Sequence, residues 1–243
     1  INKISKRQIS AILPVHLFGH PSKIDDLLKI AKKYKLYVIE DAAESLGSFY
    51  KKKHLGTFGN LGVLSFNGNK IITTGGGGAI LTSNKKLAKK IRHLSTTAKK
   101  NHPWKYIHDE VGYNYRMPNL NAALGFAQFK KLNKILRLKR NLFSKYKKSF
   151  KNNLYVDLFQ EPKNAKSNYW FQTLILKEKY KSYKDTLLRD LNINKFQSRP
   201  AWSLVHKLNR YNKYPSMNLK NSENLYSRII NIPSNTFEYE FKK

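Results

Sequence analysis

One lysine stands in a sequence context where it could do chemistry. Lys70 lies between a short apolar segment (61–66) and four consecutive glycines (75–78), in a chain that has only 12 glycines. Folded proteins keep glycine runs where the backbone needs unusual dihedral angles or approaches another group closely. A lysine there can bind phosphate, act as a general base or form an imine, because desolvation removes its proton readily. The alternative is a mobile glycine hairpin beside an ordinary surface lysine.

Two carboxylates follow an apolar run that is typical of a buried strand. Glu40 and Asp41 come directly after residues 36–39, and Ala42 and Ala43 come next. In parallel sheets, ligands bind beyond the carboxyl ends of the strands. The two alanines leave room for a flat group, and a carboxylate at this place could hold a cation. The alternative is a pair of solvated loop carboxylates.

A polar and aromatic stretch occupies residues 95–117. A loop of this length without regular structure is usually functional or disordered, and its aromatic content argues against disorder. The histidines of the region, His93, His102 and His108, raise the question of a metal site. They do not form a set with the spacing of metal ligands, so we predict no metal.

Regular elements alternate around these residues. Strands are predicted at Ile9 to Val15, Leu36 to Ile39, Gly62 to Ser65 and Ala79 to Thr82. Helices are predicted from an N-cap at Ser22 to Tyr34, and after an N-cap at Ser83 or Asn84. A strand, a helix and a second strand in this order predict a parallel pair, so the fold class is α/β.

The second half of the chain changes character. A long helix is predicted from Asn119, with these apolar side chains facing inward: Leu120, Ala123, Leu124, Ala127, Leu132 and Ile135. Further strands are predicted at Tyr169 to Leu176 and Phe196 to Ser198, and further helices at Ser182 to Leu191 and Ser222 to Ile230. We therefore predict part of a large parallel or mixed-sheet domain over residues 1–135 and a small α+β domain over residues 136–243.

Composition narrows the class of protein. The chain has 243 residues, no cysteine and 13% aromatic residues, which is typical of a folded protein without disulfides or thiolate metal sites. It contains no run of about 18 apolar residues and no hydrophobic signal core near Ile1. We expect a cytoplasmic protein that does not act at a membrane.

The formal charge of +32 favours polyanionic partners. However, the lysines are scattered in twos and threes, and those on predicted helices lie opposite the apolar stripe. A lysine-biased solvated surface explains this distribution better than a nucleic-acid groove. A basic nucleic-acid-binding protein remains the alternative from another functional class.

Five blocks in order resemble the DegT-type sugar-nucleotide aminotransferases, which are fold type I pyridoxal phosphate enzymes. The resemblance runs over residues 9–135 and more weakly to the end. The blocks are Glu40 to Glu44, Gly56 to Gly59, Ser65-Phe66 with Lys70, Gly75 to Gly78, and Gly112 to Arg116. Within the family the LegC-like branch is most similar, on residues 66–74, 95–99 with 102–104, 167–170, 199–202 and 232–234. The chain resembles a member that lacks its N-terminal third.

The resemblance implies pyridoxal 5'-phosphate as cofactor and assigns roles. Lys70 forms the resting Schiff base and moves protons, Asp41 pairs with the pyridine nitrogen, Ala43 packs on the ring, and Ser65 binds the phosphate. Glu44 stands where many relatives carry glutamine near the cofactor's 3-oxygen. Asn114 reaches the phosphate of the neighbouring subunit, which implies a homodimer with shared sites. The candidate substrate residues are His102, Trp104, His108 and Arg116.

The implied reaction is the transfer of an amino group from glutamate to the 4-keto carbon of a nucleotide-linked 4-keto-6-deoxy sugar. Such products serve surface glycan or polysaccharide biosynthesis. A relative that keeps the fold without catalysis is the remaining alternative, although the presence of Asp41, Ser65 and Lys70 favours catalysis.

Overall fold

The structure is a computed structural model, and it describes residues 1–236. Its helices are α1 (Ile24–Tyr34), α2 (Lys85–Ser95), α3 (Asn119–Phe129), α4 (Leu132–Ser149), α5 (Lys184–Ile193) and α6 (Lys220–Tyr226). Short 3-10 helices lie at Leu17–Gly19, Glu178–Tyr183 and Val205–Lys207. Within residues 1–236, no helix is both long and apolar enough to cross a membrane.

The strands of residues 1–236 are short, and each of them belongs to one of three small sheets. They are β1 (Ala11–Ile12), β2 (Tyr37–Asp41), β3 (Phe49–Tyr50), β4 (Lys53–His54), β5 (Leu61–Ser65), β6 (Gly78–Leu81), β7 (Val156–Leu158), β8 (Ala165–Lys166), β9 (Gln172–Leu176), β10 (Arg199–Pro200) and β11 (Ile229–Ile232).

The chain divides into two compact units. The Lys70 unit comprises residues 11–133 and 164–167. The Trp170 unit comprises residues 1–10 and 134–163, and continues from residue 168. The chain therefore leaves the Lys70 unit after residue 133 and returns to it for four residues only.

The main sheet of the Lys70 unit has the strand order β1-β2-β5-β6. The β1–β2 and β2–β5 pairs are parallel, whereas β6 joins the edge antiparallel to β5. The predicted strand, helix, strand unit is confirmed, and the fold class is α/β with a mixed sheet. Helix α1 packs the buried side chains of Ile24 and Ala31 against Val38 of β2.

A second sheet of this unit has the order β4-β3-β8. Its edge strand β8 comes from the four-residue return segment and pairs antiparallel with β3. At the end of that segment, Ser167 Oγ lies 2.9 Å from His20 Nδ1, and both side chains are buried. Residues far apart in the sequence thus complete the Lys70 unit.

The Trp170 unit contains an antiparallel sheet in the order β10-β11-β9-β7. Its buried core consists of Val156, Leu174, Leu176, Ile230 and Ile232. From helix α4, the buried Lys139 donates hydrogen bonds from Nζ to the carbonyl oxygens of Trp170 (3.0 Å) and Ser234 (2.6 Å).

The N-terminal predictions need two corrections. Only residues 11–12 of the predicted strand from Ile9 to Val15 form a ladder, because Pro14 has no N–H to donate; Val15 makes one further bridge to Asp41. Ser22 does not cap α1, whose N-cap is Lys23. Instead the backbone N–H of Ser22 donates to His16 Nδ1 at 3.1 Å.

The predicted long helix from Asn119 is wrong in its length and its inward face. It ends at Phe129, a turn follows, and α4 begins at Leu132. Leu120 is 86% exposed. The face that packs is polar and small instead: Asn121 donates to the Thr74 carbonyl oxygen, and the Thr73 N–H donates to Gln128 Oε1 at 3.0 Å.

The C-terminal predictions also shift. The strand predicted at Phe196 to Ser198 forms at β10, and the helix predicted from Ser222 to Ile230 is α6, which ends at Tyr226. Residues 229–232 form the inner strand β11 because their apolar side chains are buried against β9. The Asn84 N-cap of α2 is confirmed, since its side chain accepts from the N–H groups of Lys86 and Leu87.

Candidate active site

Two candidate cofactor residues lie where neighbouring parallel strands end. Asp41 is the last residue of β2 and pairs in register with Val63 of β5, whose strand ends two residues later at Ser65. The N–H of Ala42 continues the ladder by donating to the Val63 carbonyl oxygen at 3.0 Å. The Asp41 carboxylate and the Ser65 hydroxyl therefore lie at the carboxyl ends of the two parallel strands, as the sequence predicted for Asp41.

The segment between β5 and β6 closes on itself and carries Lys70. Phe66 N–H donates to the Gly77 carbonyl oxygen at 2.9 Å, and Thr74 N–H donates to the Phe66 carbonyl oxygen at 3.0 Å. Gly77 has φ +96°, which favours glycine, and a Cβ on Gly78 would lie 2.3 Å from the Leu64 carbonyl oxygen. Gly77 and Gly78 thus form a close backbone passage where the segment rejoins β5.

Lys70 and Glu44 form the central contact of the candidate site. Lys70 Nζ lies 3.8 Å from Glu44 Oε1, and the side chains are 14% and 12% exposed. The other carboxylate oxygen, Oε2, accepts a hydrogen bond from the Phe18 N–H at 2.6 Å. Burial raises the pKa of Glu44, and the nearby Asp41 adds to this effect. The Phe18 N–H and Lys70 oppose it, but the pKa stays above its ordinary value.

The Glu40 carboxylate is bound by groups of the protein itself and is not an open cation site. Its buried carboxylate lies 2.9 Å from His16 Nε2. It also accepts hydrogen bonds from the backbone N–H groups of Gly56 (2.8 Å), Phe58 (2.6 Å) and Gly59 (2.6 Å). Burial raises its pKa, but the hydrogen bonds from His16 and the backbone outweigh this effect and leave the pKa lowered. Glu40 thereby fixes residues 56–59 beside β2.

Asn114 lies on the polar loop and is exposed. It forms an antiparallel bridge with Thr96, and the neighbouring N–H groups of Tyr113 and Tyr115 donate to the carbonyl oxygens of Leu94 and Ser95. The loop is therefore folded against the end of α2, and it presents Asn114 on its surface.

The four candidate substrate residues also belong to this loop. The His102 ring packs edge-on against Trp104 with centroids 5.0 Å apart. His108 Nδ1 lies 2.7 Å from the Thr97 carbonyl oxygen, and Arg116 is exposed. These contacts lie within the loop, so the structure groups them with Asn114 rather than with the Lys70–Glu44 contact.

The three histidines raised as a metal set are not brought together as such. His93 instead groups with Asp109 and Glu110, all in or beside the loop. His93 Nε2 lies 2.6 Å from Asp109 Oδ1, Lys100 lies 3.8 Å from the same carboxylate, and Lys90 contacts Glu110. Lysines thus already neutralise these carboxylates.

Residues 1–237 match the DegT/DnrJ/EryC1/StrS aminotransferase family. The chain belongs to this family. The family prediction from the sequence is thereby confirmed, while the LegC-like branch stays a prediction.

Relatives of the family show both similarity and a difference in length. The chain is 37% identical over 228 residues to the GDP-perosamine synthase of Escherichia coli O157:H7, covering 92% of this chain and 60% of the relative. It is 37% identical over 196 residues to the putative pyridoxal phosphate-dependent aminotransferase EpsN of Bacillus subtilis, covering 81% of this chain and 50% of EpsN. The chain thus spans about three-fifths or less of these relatives.

A solved structure agrees with the fold. Helicobacter pylori PseC, an aminotransferase involved in the biosynthesis of pseudoaminic acid, superimposes with a TM-score of 0.88 at 25% identity. The match covers 92% of this chain and 61% of PseC. The α/β fold of an aminotransferase is therefore shown for the described part of the chain.

Three features of the candidate site are not predicted by the sequence. They are the Phe18 N–H, which binds Glu44, the Glu40 and His16 pair, and the α3 face that holds Thr73 and Thr74. Their partners lie 16 to 55 residues away in the chain. Only the spacing of Asn121, Gly125 and Gln128 along one helical face carried a signal, and it was weaker than the leucine pattern.

Proposed function

We propose that the protein is a pyridoxal-phosphate-dependent aminotransferase. It transfers an amino group from glutamate to the 4-keto carbon of a nucleotide-linked 4-keto-6-deoxy sugar for surface glycan or polysaccharide biosynthesis. The observation that carries the proposal is the largely enclosed Lys70 amine, 3.8 Å from Glu44, in the unit where Asp41 and Ser65 lie at the ends of adjacent strands. The names of the GDP-perosamine synthase and PseC relatives support the class of reaction.

The residues present fit pyridoxal phosphate. An amine (Lys70), a carboxylate (Asp41) and a hydroxyl (Ser65) are the groups that an aldehyde, a pyridine nitrogen and a phosphate require. Ala43 adds a small side chain, and its N–H donates to Asp41 Oδ1 at 3.1 Å, which fixes the direction of that carboxylate. The relative EpsN is itself named as pyridoxal phosphate-dependent.

When bound, the cofactor supplies an electron-withdrawing ring that stabilises a carbanion at the substrate carbon. Lys70 would hold the cofactor through its amine, and Nζ would move a proton at the substrate carbon. The Asp41 carboxylate would keep the pyridine nitrogen protonated. The Ser65 hydroxyl would bind the phosphate, and Ala43 would pack on the ring. Glu44 lies beside the reacting amine.

The proposal includes a homodimer in which Asn114 serves the partner's site. It is supported by the exposure of aromatic side chains on the loop that carries Asn114. Trp104 is 75% exposed, Tyr106 is 80% exposed and Tyr115 is 77% exposed. Clustered exposed aromatic residues are typical of protein interfaces. The loop residues His102, Trp104, His108 and Arg116 then contact the sugar nucleotide of the same shared site.

Chemical trapping of the cofactor tests the assignment of Lys70. The protein is incubated with pyridoxal phosphate, reduced with borohydride and digested, and the modified lysine is located by mass spectrometry. We expect the label on Lys70, together with amino transfer from glutamate to a nucleotide-linked 4-keto sugar. Lys70→Arg should lose both, because a guanidinium does not form the bond.

Lys51→Arg is the matched control, because Lys51 Nζ also faces a carboxylate, that of Asp25 at 2.5 Å, but is 53% exposed. It should keep the label on Lys70. A Lys70→Arg protein that retained a reducible cofactor bond and the activity would contradict the assignment.

Mixed dimers test the shared site. Lys70→Arg and Asn114→Ala are expected to be inactive or weakly active alone. Mixing the two should restore part of the activity, since one of the two sites then has both Lys70 and Asn114. An unchanged sum of activities in a mixture that forms mixed dimers would contradict the role of Asn114.

A further inference from the structure

The position of Glu44 suggests a role beyond contact with Lys70. Its two oxygens have different partners: the Phe18 N–H at 2.6 Å on Oε2, and Lys70 Nζ at 3.8 Å from Oε1. Both side chains are largely enclosed, with 12% and 14% exposure. The carboxyl group therefore depends on a fixed backbone donor and on the charge of the reacting lysine.

The backbone donor is held in place by a strained turn. Phe18 is 4% exposed and has φ 56° and ψ 19°, a left-handed conformation that is an outlier for a bulky residue. Side chains on both sides support the turn. Ser45 Oγ donates to the His16 carbonyl oxygen at 3.2 Å, and Ser48 Oγ donates to the Gly19 carbonyl oxygen at 2.7 Å. Glu44 Oε2 is consequently fixed.

Of the charged groups around Glu44, only the one that bonds to the cofactor changes its charge distribution directly. Lys70 faces Glu44 from the β5–β6 segment, and Asp41 faces it from the end of β2. The nearby histidines of the turn are engaged elsewhere, His16 with Glu40 and His20 with Ser167. Lys70 is therefore the cation whose state changes when the cofactor binds.

Attachment of the cofactor to Lys70 weakens the electrostatic stabilisation of the ionised Glu44 carboxylate. The Lys70 amine adds to the aldehyde carbon, the C=N bond forms, and the aldehyde oxygen leaves as water. The positive charge then spreads into a conjugated group that itself carries anionic oxygens. A buried carboxylate that loses a localised ammonium and gains anionic neighbours binds a proton more tightly. The pKa of Glu44 is already raised by burial before this happens.

We propose that Glu44 takes up a proton from solvent when the cofactor attaches to Lys70, and that it serves the loaded site as a neutral hydrogen-bond donor. This inference rests on the proposed function. A glutamine at this position would donate a hydrogen bond through its amide N–H without taking up a proton. A glutamate must take up a proton first, so it makes cofactor binding depend on pH. As pH rises above the Glu44 pKa of the unloaded protein, cofactor affinity should fall by up to about tenfold per pH unit.

Proton counting by titration calorimetry tests the inference. Pyridoxal phosphate is titrated into cofactor-free protein at several pH values, in two buffers without primary amines that differ in heat of ionisation, such as PIPES and HEPES. The wild type should take up as much as about one proton more than Glu44→Gln. Glu44→Gln also removes the ion pair with Lys70, so the absorption spectrum of the bound cofactor is recorded at each pH and the proton change at the Lys70 nitrogen is subtracted from each count.

Asp25→Asn is the matched control, since Asp25 also faces a lysine, Lys51, but is 36% exposed on its side chain. It should show the wild-type proton count. Equal counts in the wild type and in Glu44→Gln, with both proteins labelled on Lys70 after reduction, would overturn the inference alone. Absence of a cofactor bond at Lys70 in the wild type would instead overturn the proposed function.

A second measurement needs no variant. Infrared difference spectra of protein labelled with ¹³C-carboxyl glutamate should show the C=O stretch of a protonated carboxyl group when the cofactor is added. The isotope shift separates Glu44 from Asp41. A spectrum without that shifted band would also overturn the inference, even if Glu44→Gln does not fold.

Discussion

His16 Nε2 lies 2.9 Å from Glu40 Oε2, and both side chains are fully buried. Because His16 Nδ1 accepts a hydrogen bond from the N–H of Ser22, Nε2 carries the ring hydrogen and donates a hydrogen bond to Glu40 Oε2. The same carboxylate accepts hydrogen bonds from three backbone N–H groups of residues 56–59. This pair therefore joins the turn before α1, the end of β2 and the glycine-containing segment that precedes β5.

Glu40→Gln should destabilise the Lys70 unit by about 3 kcal/mol, because an amide cannot accept all four donors and turns its own N–H groups toward some of them. Denaturant unfolding followed by circular dichroism measures this loss. Glu110→Gln, at an exposed ion pair with Lys90, should change the free energy of unfolding by less than about 1 kcal/mol. Equal effects of the two changes would contradict the structural role of Glu40.

The lowered pKa of Glu40 gives this contribution a pH dependence. The stabilisation is present above the pKa of the unfolded chain and is lost as pH falls through the lower pKa of the folded protein. Acid should therefore remove the difference between the wild type and Glu40→Gln.

Gly78→Ala should cost about 2–3 kcal/mol of stability, because its Cβ would lie 2.3 Å from the Leu64 carbonyl oxygen and would open the β5–β6 pair. Gly76→Ala is the control within the same glycine run, since a Cβ there meets no atom within 4 Å. Its effect should stay within about 1 kcal/mol. Urea midpoints of the two variants check the difference, and a larger loss for Gly76→Ala would contradict the described passage.

Asp41→Asn should lower the turnover of the loaded enzyme about a hundredfold or more, because an amide cannot hold the proton on the pyridine nitrogen. The amide oxygen still accepts the Ala43 N–H, so the strand end should keep its shape. Steady-state rates measure the loss, and borohydride labelling of Lys70 should show that the cofactor is still attached. A labelled variant with wild-type turnover would contradict the role of Asp41.

Lys139 should make the Trp170 unit more stable at alkaline pH. Burial lowers the pKa of Lys139 from 10.5 to about 8. Between these values the unfolded chain holds more protons than the folded protein, so the free energy of unfolding rises with pH. Relative to Lys139→Met, the wild type should gain about 1 kcal/mol per pH unit between pH 8 and 10.

Unfolding curves of the two proteins over this pH range provide the measurement. Other groups titrate in the same range, but they are common to both proteins and cancel in the difference. A difference that stays constant from pH 8 to pH 10 would contradict the lowered pKa of Lys139.

Local patterns predicted the elements near Lys70 well. Residues 37–41 and 61–65 form strands because their apolar side chains alternate or run continuously between turn residues. Asn84 caps α2 because its side chain accepts the next two free N–H groups. The family resemblance then placed Lys70, Asp41 and Ser65 in one unit, which short-range pattern alone does not establish.

Long-range contacts could not be predicted in the same way. Leu120 looked like a core residue, yet α3 packs through Asn121, Gly125 and Gln128, because the segment at Thr73 and Thr74 offers backbone groups to bind and space for only a small residue. The hydrogen bond between Phe18 and Glu44 depends on a left-handed residue, which the sequence gives no reason to expect at a phenylalanine.

The return of residues 164–167 to the Lys70 unit has a consequence for synthesis on the ribosome. Strand β8 and the Ser167 partner of His20 emerge only after the segment 134–163 of the Trp170 unit has been translated. A nascent chain that stops at residue 133 therefore lacks an edge strand and a partner for a buried histidine. The Lys70 unit therefore reaches its final form only after residues 134–163 of the Trp170 unit have been translated.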